Sequence, residues 1–93
     1  MTKAEIISKI SERTGVEKTA TLAVVESFML EIKDSIKNNE SVFLRGFGTF
    51  MAKKRKEKTG RNISKNTTII IPAHHIPAFK PAKVFKQTVK ENI

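Results

Sequence analysis

The chain is 93 residues long, contains no cysteine and carries a formal charge of +9. That length holds one domain with a modest core, and without cysteine neither a disulfide nor a thiolate metal site can support it, so a second subunit is the expected supplement. The longest apolar runs, Leu22-Ala23-Val24-Val25 and Ile69-Ile70-Ile71, are far too short to cross a bilayer; Glu5 stands where a secretory leader would begin its apolar run, and a cytoplasmic protein is expected.

A helix is expected first. Thr2 is placed to cap it, Glu5 three residues on completes a capping box, Ile6, Ile7 and Ile10 form an apolar face, and Gly15 supplies the stop. A second helix is expected over residues 18–38, where Leu22, Val25, Met29, Ile32 and Ile36 recur at helical spacing and Val24 and Phe28 add a neighbouring stripe. A face that wide exceeds what one short helix can cover, which again points to a second copy. Glu17 is a weak N-cap, and Asn38-Asn39 closes the helix.

Beyond residue 40 the pattern becomes strand-like. Ser41–Arg45 is one run, Gly46-Phe47-Gly48 punctuates it, and Thr49-Phe50-Met51-Ala52 begins another that continues to Thr59. Gly60 to Thr67 reads as a turn region, and the β-branched Thr68–Ile71 resumes strand. Pro77 and Pro81 are expected to break the chain beyond that strand, with Pro81 in the first turn of a last helix whose apolar face is Val84, Phe85, Thr88 and Val89.

Charge is unevenly placed along these elements. Residues 1–50 hold seven basic and seven acidic side chains; residues 51–93 hold eleven against two. A neutral body with a cationic half suits a polyanion partner. Lys53, Lys54, Arg55, Lys56, Lys58, Arg61 and Lys65 fall on a strand, a turn and the start of the return, with no apolar residue between Ala52 and Ile63. A two-stranded ribbon lacking an apolar face cannot fold onto a core, so residues 53–71 are expected to project as an arm suited to a nucleic-acid groove. Arg61 and Asn62 are suitable readers of the acceptor-rich minor groove. Ile63, the one apolar residue from 53 to 68, has the character of a base-step wedge, or more simply of a good strand former.

Other signals carry no chemistry. His74 and His75 are strand neighbours that point to opposite sides, which suits metal binding poorly. Gly46-x-Gly48 lacks the later glycine and lysine of a phosphate loop. No acid–base–nucleophile set can be assembled, and neither an enzyme nor a cofactor is expected.

Gly46-Phe47-Gly48-Thr49-Phe50, Thr59-Gly60-Arg61-Asn62, Ile71-Pro72-Ala73, Pro77-Ala78-Phe79-Lys80 and Lys83 together resemble the bacterial HU/IHF family of histone-like DNA-bending proteins, HU most of all, and the resemblance spans essentially the whole chain. It implies an α+β fold: an N-terminal α-hairpin, a three-stranded antiparallel sheet with a long protruding β-ribbon arm, and a short C-terminal helix, in an intertwined dimer. Residues 1–40 would form the helical dimerisation base, 41–80 the sheet with the DNA-binding arm about 53–71, and 81–93 the last helix of one domain. It also implies minor-groove binding and bending, a mode for which this family is itself a standard example. Phe28, Met29 and Ile32, read from the wide helix face, together with Phe47, Phe50 and Phe79 would form the dimer core. Lys53, Arg55, Lys58 and Arg61 would line the arm's DNA-facing side, with Asn62, Ile63 and Lys65 near its tip, and Lys3, Lys83 and Lys86 would meet phosphates on the flanks. Two departures stand out: Ile63 replaces the family's usual proline, keeping apolar bulk without the rigid ring, and Asn66 replaces a glycine.

The expected function is nucleoid-associated, architectural binding and bending of duplex DNA with little sequence preference, favouring bent, nicked or flexible DNA. A homodimer is expected and a heterodimer stays open. A site-specific bender of the integration-host-factor type is the runner-up, RNA binding is disfavoured by A-form groove shape, and a membrane-surface role lacks a basic amphipathic helix.

Overall fold

The computed structural model describes residues 1–62 and 67–93. Its eight elements, in chain order, are α1 (Lys3–Thr14), α2 (Lys18–Lys37), β1 (Val42–Leu44), β2 (Gly48–Arg55), β3 (Lys58–Asn62), β4 (Thr67–Ile71), β5 (His74–Pro81) and α3 (Lys83–Asn92). The chain divides into two compact units, residues 1–34 and 35–93.

In the first unit Thr2 caps α1, its hydroxyl accepting the Glu5 N–H at 3.3 Å. The capping box is only half made. The Glu5 carboxylate lies 3.4 Å from the Thr2 hydroxyl, so it meets the cap's side chain rather than its backbone N–H. Gly15 ends the helix at φ +76°, its N–H bonded to the Ser11 carbonyl; the left-handed turn needs no Cβ there. Of the three isoleucines expected on the apolar face, Ile7 is buried, Ile10 is half-buried and Ile6 is exposed. The start of α2 lacks a good N-cap, and the Thr21 hydroxyl turns back to the Glu17 carbonyl at 2.9 Å, which lets this polar side chain be buried.

The second unit opens with the last turn of α2, after which Asn39, at φ 59°, bonds its N–H to the Ile36 carbonyl. β1, β2 and β5 then form an antiparallel sheet in the order β1-β2-β5, and β3 and β4 form a separate two-stranded ribbon. Gly46, at φ +78°, turns the chain from β1 into β2, with the Phe47 N–H bonded to the Leu44 carbonyl. Gly48 is buried under β5: a Cβ there would fall 2.5 Å from the Lys80 carbonyl oxygen and 2.6 Å from the Phe79 ring.

Three expectations about strands are corrected. β2 does not run on to Thr59. The ladder ends at Arg55↔His74 and resumes at Lys58↔Ile71, leaving residues 56–57 opposite 72–73. Pro72 has no N–H to donate at that level, which accounts for the gap. Pro77 and Pro81 do not break the chain but lie within β5, opposite Ala52 and Gly48. β5 is an edge strand, where proline is tolerated if its missing N–H would face outward. Consequently α3 begins after Pro81, at Lys83; its N-cap, Ala82, makes no side-chain cap bond and is held instead by its N–H to the Phe47 carbonyl. Of residues 60–67, expected as a turn, 60–62 belong to β3 and Thr67 to β4.

Candidate nucleic-acid interface

Cross-strand partners share a sheet face, so the register assigns each basic side chain to one. On β2, Lys53 and Arg55 share a face with Thr49 and Met51, and β5 adds Lys80, Ala78, Ile76 and His74 to it. The opposite face carries Phe50, Phe79, Ala52 and Pro77, with Lys54 and His75 at its outer end. Past the gap, Lys58 and Gly60 alternate with Thr59 and Arg61 along β3. Lys58 and Arg61 therefore lie on opposite faces of the ribbon, three residues apart in a two-residue period, and do not form a single DNA-facing side. Lys53, Arg55, Lys58 and Arg61 are all exposed. The return strand is less polar than the basic run suggested. Ile69, Ile70 and Ile71 of β4 are 46%, 64% and 42% exposed, so the ribbon presents bare apolar side chains as well as cations. Ile63 and Lys65, and the tip residue Asn66, lie outside the described residues.

At the end of the sheet away from the ribbon, beyond Pro81↔Gly48, Lys83 opens α3 and Lys86 is one turn on, both exposed. Lys83, Lys80 and Arg45 border an open depression floored by Gly48 and Thr49. Lys80 and Arg45 were absent from the residues chosen on sequence grounds. Period-two alternation after Phe79 could have placed Lys80 on the outer face, whereas Arg45 needed the turn at Gly46 to bring it there. In the other unit Lys3 forms an ion pair with Glu26, so its charge is already shared with a neighbour.

Under the sheet, Phe50 and Phe79 stand 4.7 Å apart between ring centroids, Phe47 and Phe79 5.0 Å, and Phe47 and Phe85 5.5 Å. Phe85 thus joins the expected Phe47, Phe50 and Phe79 and ties α3 to the sheet. The cluster stays open, with Phe47 44% and Phe79 37% exposed, and Phe79, Phe85 and Val89 line an apolar hollow. On α2, Phe28 is 47% exposed, and Met29 and Ile32 are half-buried. His74 and His75 fall on opposite faces, with His74 Nδ1 2.9 Å from the Pro72 carbonyl oxygen. Among the described residues no three His, Asp or Glu side chains cluster as metal ligands, and no helix is long and apolar enough to cross a membrane.

A small α+β body, one sheet face set with lysine and arginine, and an exposed ribbon cationic on both sides define a nucleic-acid-binding class of protein. The chain belongs to the bacterial DNA-binding protein family, whose model matches residues 1–90, and within it to the HU proteins. It is 42% identical over 90 residues to the SPbeta prophage-derived DNA-binding protein HU 2 of Bacillus subtilis, covering 97% of this chain and 98% of that one. It is 37% identical over 91 residues to the DNA-binding protein HU of Thermus thermophilus, covering 98% and 94% respectively. Among solved structures, the Anabaena HU–DNA cocrystal structure matches with a TM-score of 0.92 at 34% identity, over 96% of this chain and 97% of that one. The family is one of histone-like, DNA-binding architectural proteins, not of enzymes.

Proposed function

We propose that this protein binds duplex DNA through the minor groove, with little sequence preference, and bends it. The observation that carries the reading is the ribbon itself: Lys53 and Arg55 on one face near its base, and Lys58 and Arg61 on opposite faces beyond the gap, all exposed. A strand pair cationic on both sides suits a groove, where phosphates flank it left and right. Phosphate contacts carry no sequence information, so discrimination falls to DNA deformability, and bent, nicked or flexible duplexes are preferred. Lys83, Lys86 and, less strongly, Lys3 engage flanking phosphates. Asn62 reads the groove near the tip, and Ile63 with Lys65 completes it, Ile63 as the apolar wedge. The whole chain acts as one DNA-binding domain, associated with the nucleoid in the cytoplasm.

The working unit is a dimer, most simply of identical chains. Among the described residues Ile7 is the only buried apolar side chain, while Leu22, Val24, Phe28 and Leu30 on α2 and Phe47 and Phe79 below the sheet stay open. A chain of this size with so little buried surface is not stable alone. A second copy laid against Phe28, Met29, Ile32 and the phenylalanine cluster supplies the missing burial.

Gel shifts with linear, nicked and four-way-junction DNA at two salt concentrations test the reading. Retardation of all three, tightest on nicked and junction DNA and weakened by salt, is the expected result. Equal competition by duplex RNA, or a footprint at one discrete site, overturns it.

A further inference from the structure

Phe43 is the most exposed of the six phenylalanines, at 78%. It sits in the middle of β1, where exposure of a large aromatic is least expected in an ordered strand. The register shows why. Phe43 pairs with Thr49 and Thr49 pairs with Lys80, so the three form one row across the sheet, on the face opposite Phe50 and Phe79. Farther along the same face stand Lys53 and Arg55. A second, independent observation puts Phe43 with the cations: it walls the depression bordered by Arg45, Lys80 and Lys83.

An open aromatic ring on a cationic face is a docking surface, and its surroundings select the occupant. β1, β2 and β5 contain no acidic residue. A second copy applied to this face would set like charges against each other without water to screen them. The opposite face, with its open phenylalanine cluster, is the surface a second copy fits. A duplex brings phosphates for Lys80 and Lys83, and between them the apolar edges of sugars and bases. Minor-groove proteins use phenylalanine for that contact. Thr49 and Arg55 are six residues apart, about 20 Å of strand, so Phe43 meets a different stretch of DNA from the one the ribbon reaches.

We propose that Phe43 packs its ring into the minor groove at the end of the sheet away from the ribbon, a second apolar contact with DNA apart from the ribbon tip. This rests on the DNA-binding reading above. It makes Phe43 a determinant of affinity and of deformability preference, because a ring pressed on a base step favours steps that unstack easily.

The chain has no tryptophan or tyrosine, so Phe43→Trp introduces a sole indole reporter. Its emission and acrylamide quenching are followed as a short labelled duplex is added at low salt, with the duplex's anisotropy reporting binding in the same cuvette. The expected result is an indole accessible in free protein that becomes quenched by DNA and shielded from acrylamide as anisotropy rises. Phe43→Ser, checked for native circular dichroism, loses about tenfold in affinity, within the range for aromatic–base contacts, and Phe43→Leu recovers part of it. An indole that stays accessible in the saturated complex overturns the proposal while leaving DNA binding intact. So does an indole already shielded before DNA is added, which assigns the face to the second copy. Absence of any anisotropy change with the unsubstituted protein instead defeats the DNA-binding reading itself.

Discussion

β2 and β5 pair along eight residues, and the two ends of that pairing, with the β3–β4 ribbon beyond, differ in kind. Near the turn at Gly46, Gly48 of β2 is buried and the four residues after it are half-buried, with Phe50 and Phe79 packed beneath the sheet and Phe47 and Phe85 tying it to α3. From Lys53 outward, every β2 residue is exposed, as is every β4 residue. The same backbone ladder thus serves stability at one end and leaves β2 and β4 side chains exposed at the other. Hydrogen bonds hold both ends, but the base buries apolar area while Ile69, Ile70 and Ile71 of the ribbon stay exposed. Substitutions among the phenylalanines under the base are therefore expected to act on folding, and substitutions of the ribbon's cations on binding.

The largest effect belongs to the ribbon. If a dimer neutralises on the order of 6–10 phosphates, affinity falls about 10³–10⁵-fold between 50 and 200 mM salt. Replacing Lys53, Arg55, Lys58 and Arg61 with alanine should flatten that slope in a filter-binding titration. Unfolding midpoints should hardly move, each exposed change being within about 0.5 kcal/mol. A melted protein would erase the distinction between the two ends.

Phe79→Ala is the matching change at the base, expected to destabilise by about 3–5 kcal/mol. That full loss requires a second copy over the ring, which is 37% exposed in one chain. Denaturation at two protein concentrations reads it: the midpoint should depend on concentration, as for coupled folding and association. A small, concentration-independent loss would mean that the face stays in solvent.

Gly48→Ala forces a methyl against the Lys80 carbonyl and the Phe79 ring. Overpacking of this kind costs about 1–3 kcal/mol, visible as a lowered melting temperature. Gly60→Ala, whose added Cβ would lie 3.9 Å from the Ile69 carbonyl oxygen, is the control and should melt almost as the parent does.

Ile63→Ala leaves every charge in place. Binding to intact linear duplex should change little, while the bend angle and the preference for nicked DNA should fall, as read by energy transfer between dyes at the ends of a short duplex. Unchanged bending would make Ile63 a plain strand residue.

The smallest effect is expected at Lys3. Its ion pair with Glu26 joins two partly exposed side chains, 51% and 43%, so the pair is worth about 0–1 kcal/mol to folding at most. Lys3→Ala should weaken DNA binding less than Lys83→Ala, since the intramolecular partner competes with phosphate; parallel gel shifts compare them.

Most elements were legible in the order of residues. Helical spacing placed α2 within a residue, Thr2 and Gly15 bounded α1, and the phenylalanine and glycine motif marked the turn into β2. The misreadings share a cause. Proline is a local breaker, but whether Pro77 interrupts a strand depends on which edge of the sheet receives it, and Pro72 acted on a partner strand rather than its own. The candidate site was legible as composition. Its geometry was not: the basic run named Lys58 and Arg61 together, and the ribbon register parted them.

Charge segregation, the absence of cysteine and the Gly46–Phe50 and Thr59–Asn62 motifs determined, by themselves, a DNA-binding protein of this family with an α+β fold. These are properties of residue type and order, which no packing alters. Only the tertiary structure decided which residues share a face, because a strand's side chains point by alternation and the register between strands sets what lies beside them. That register put Phe43 in a row with Lys80, two residues 37 positions apart with no local signal joining them.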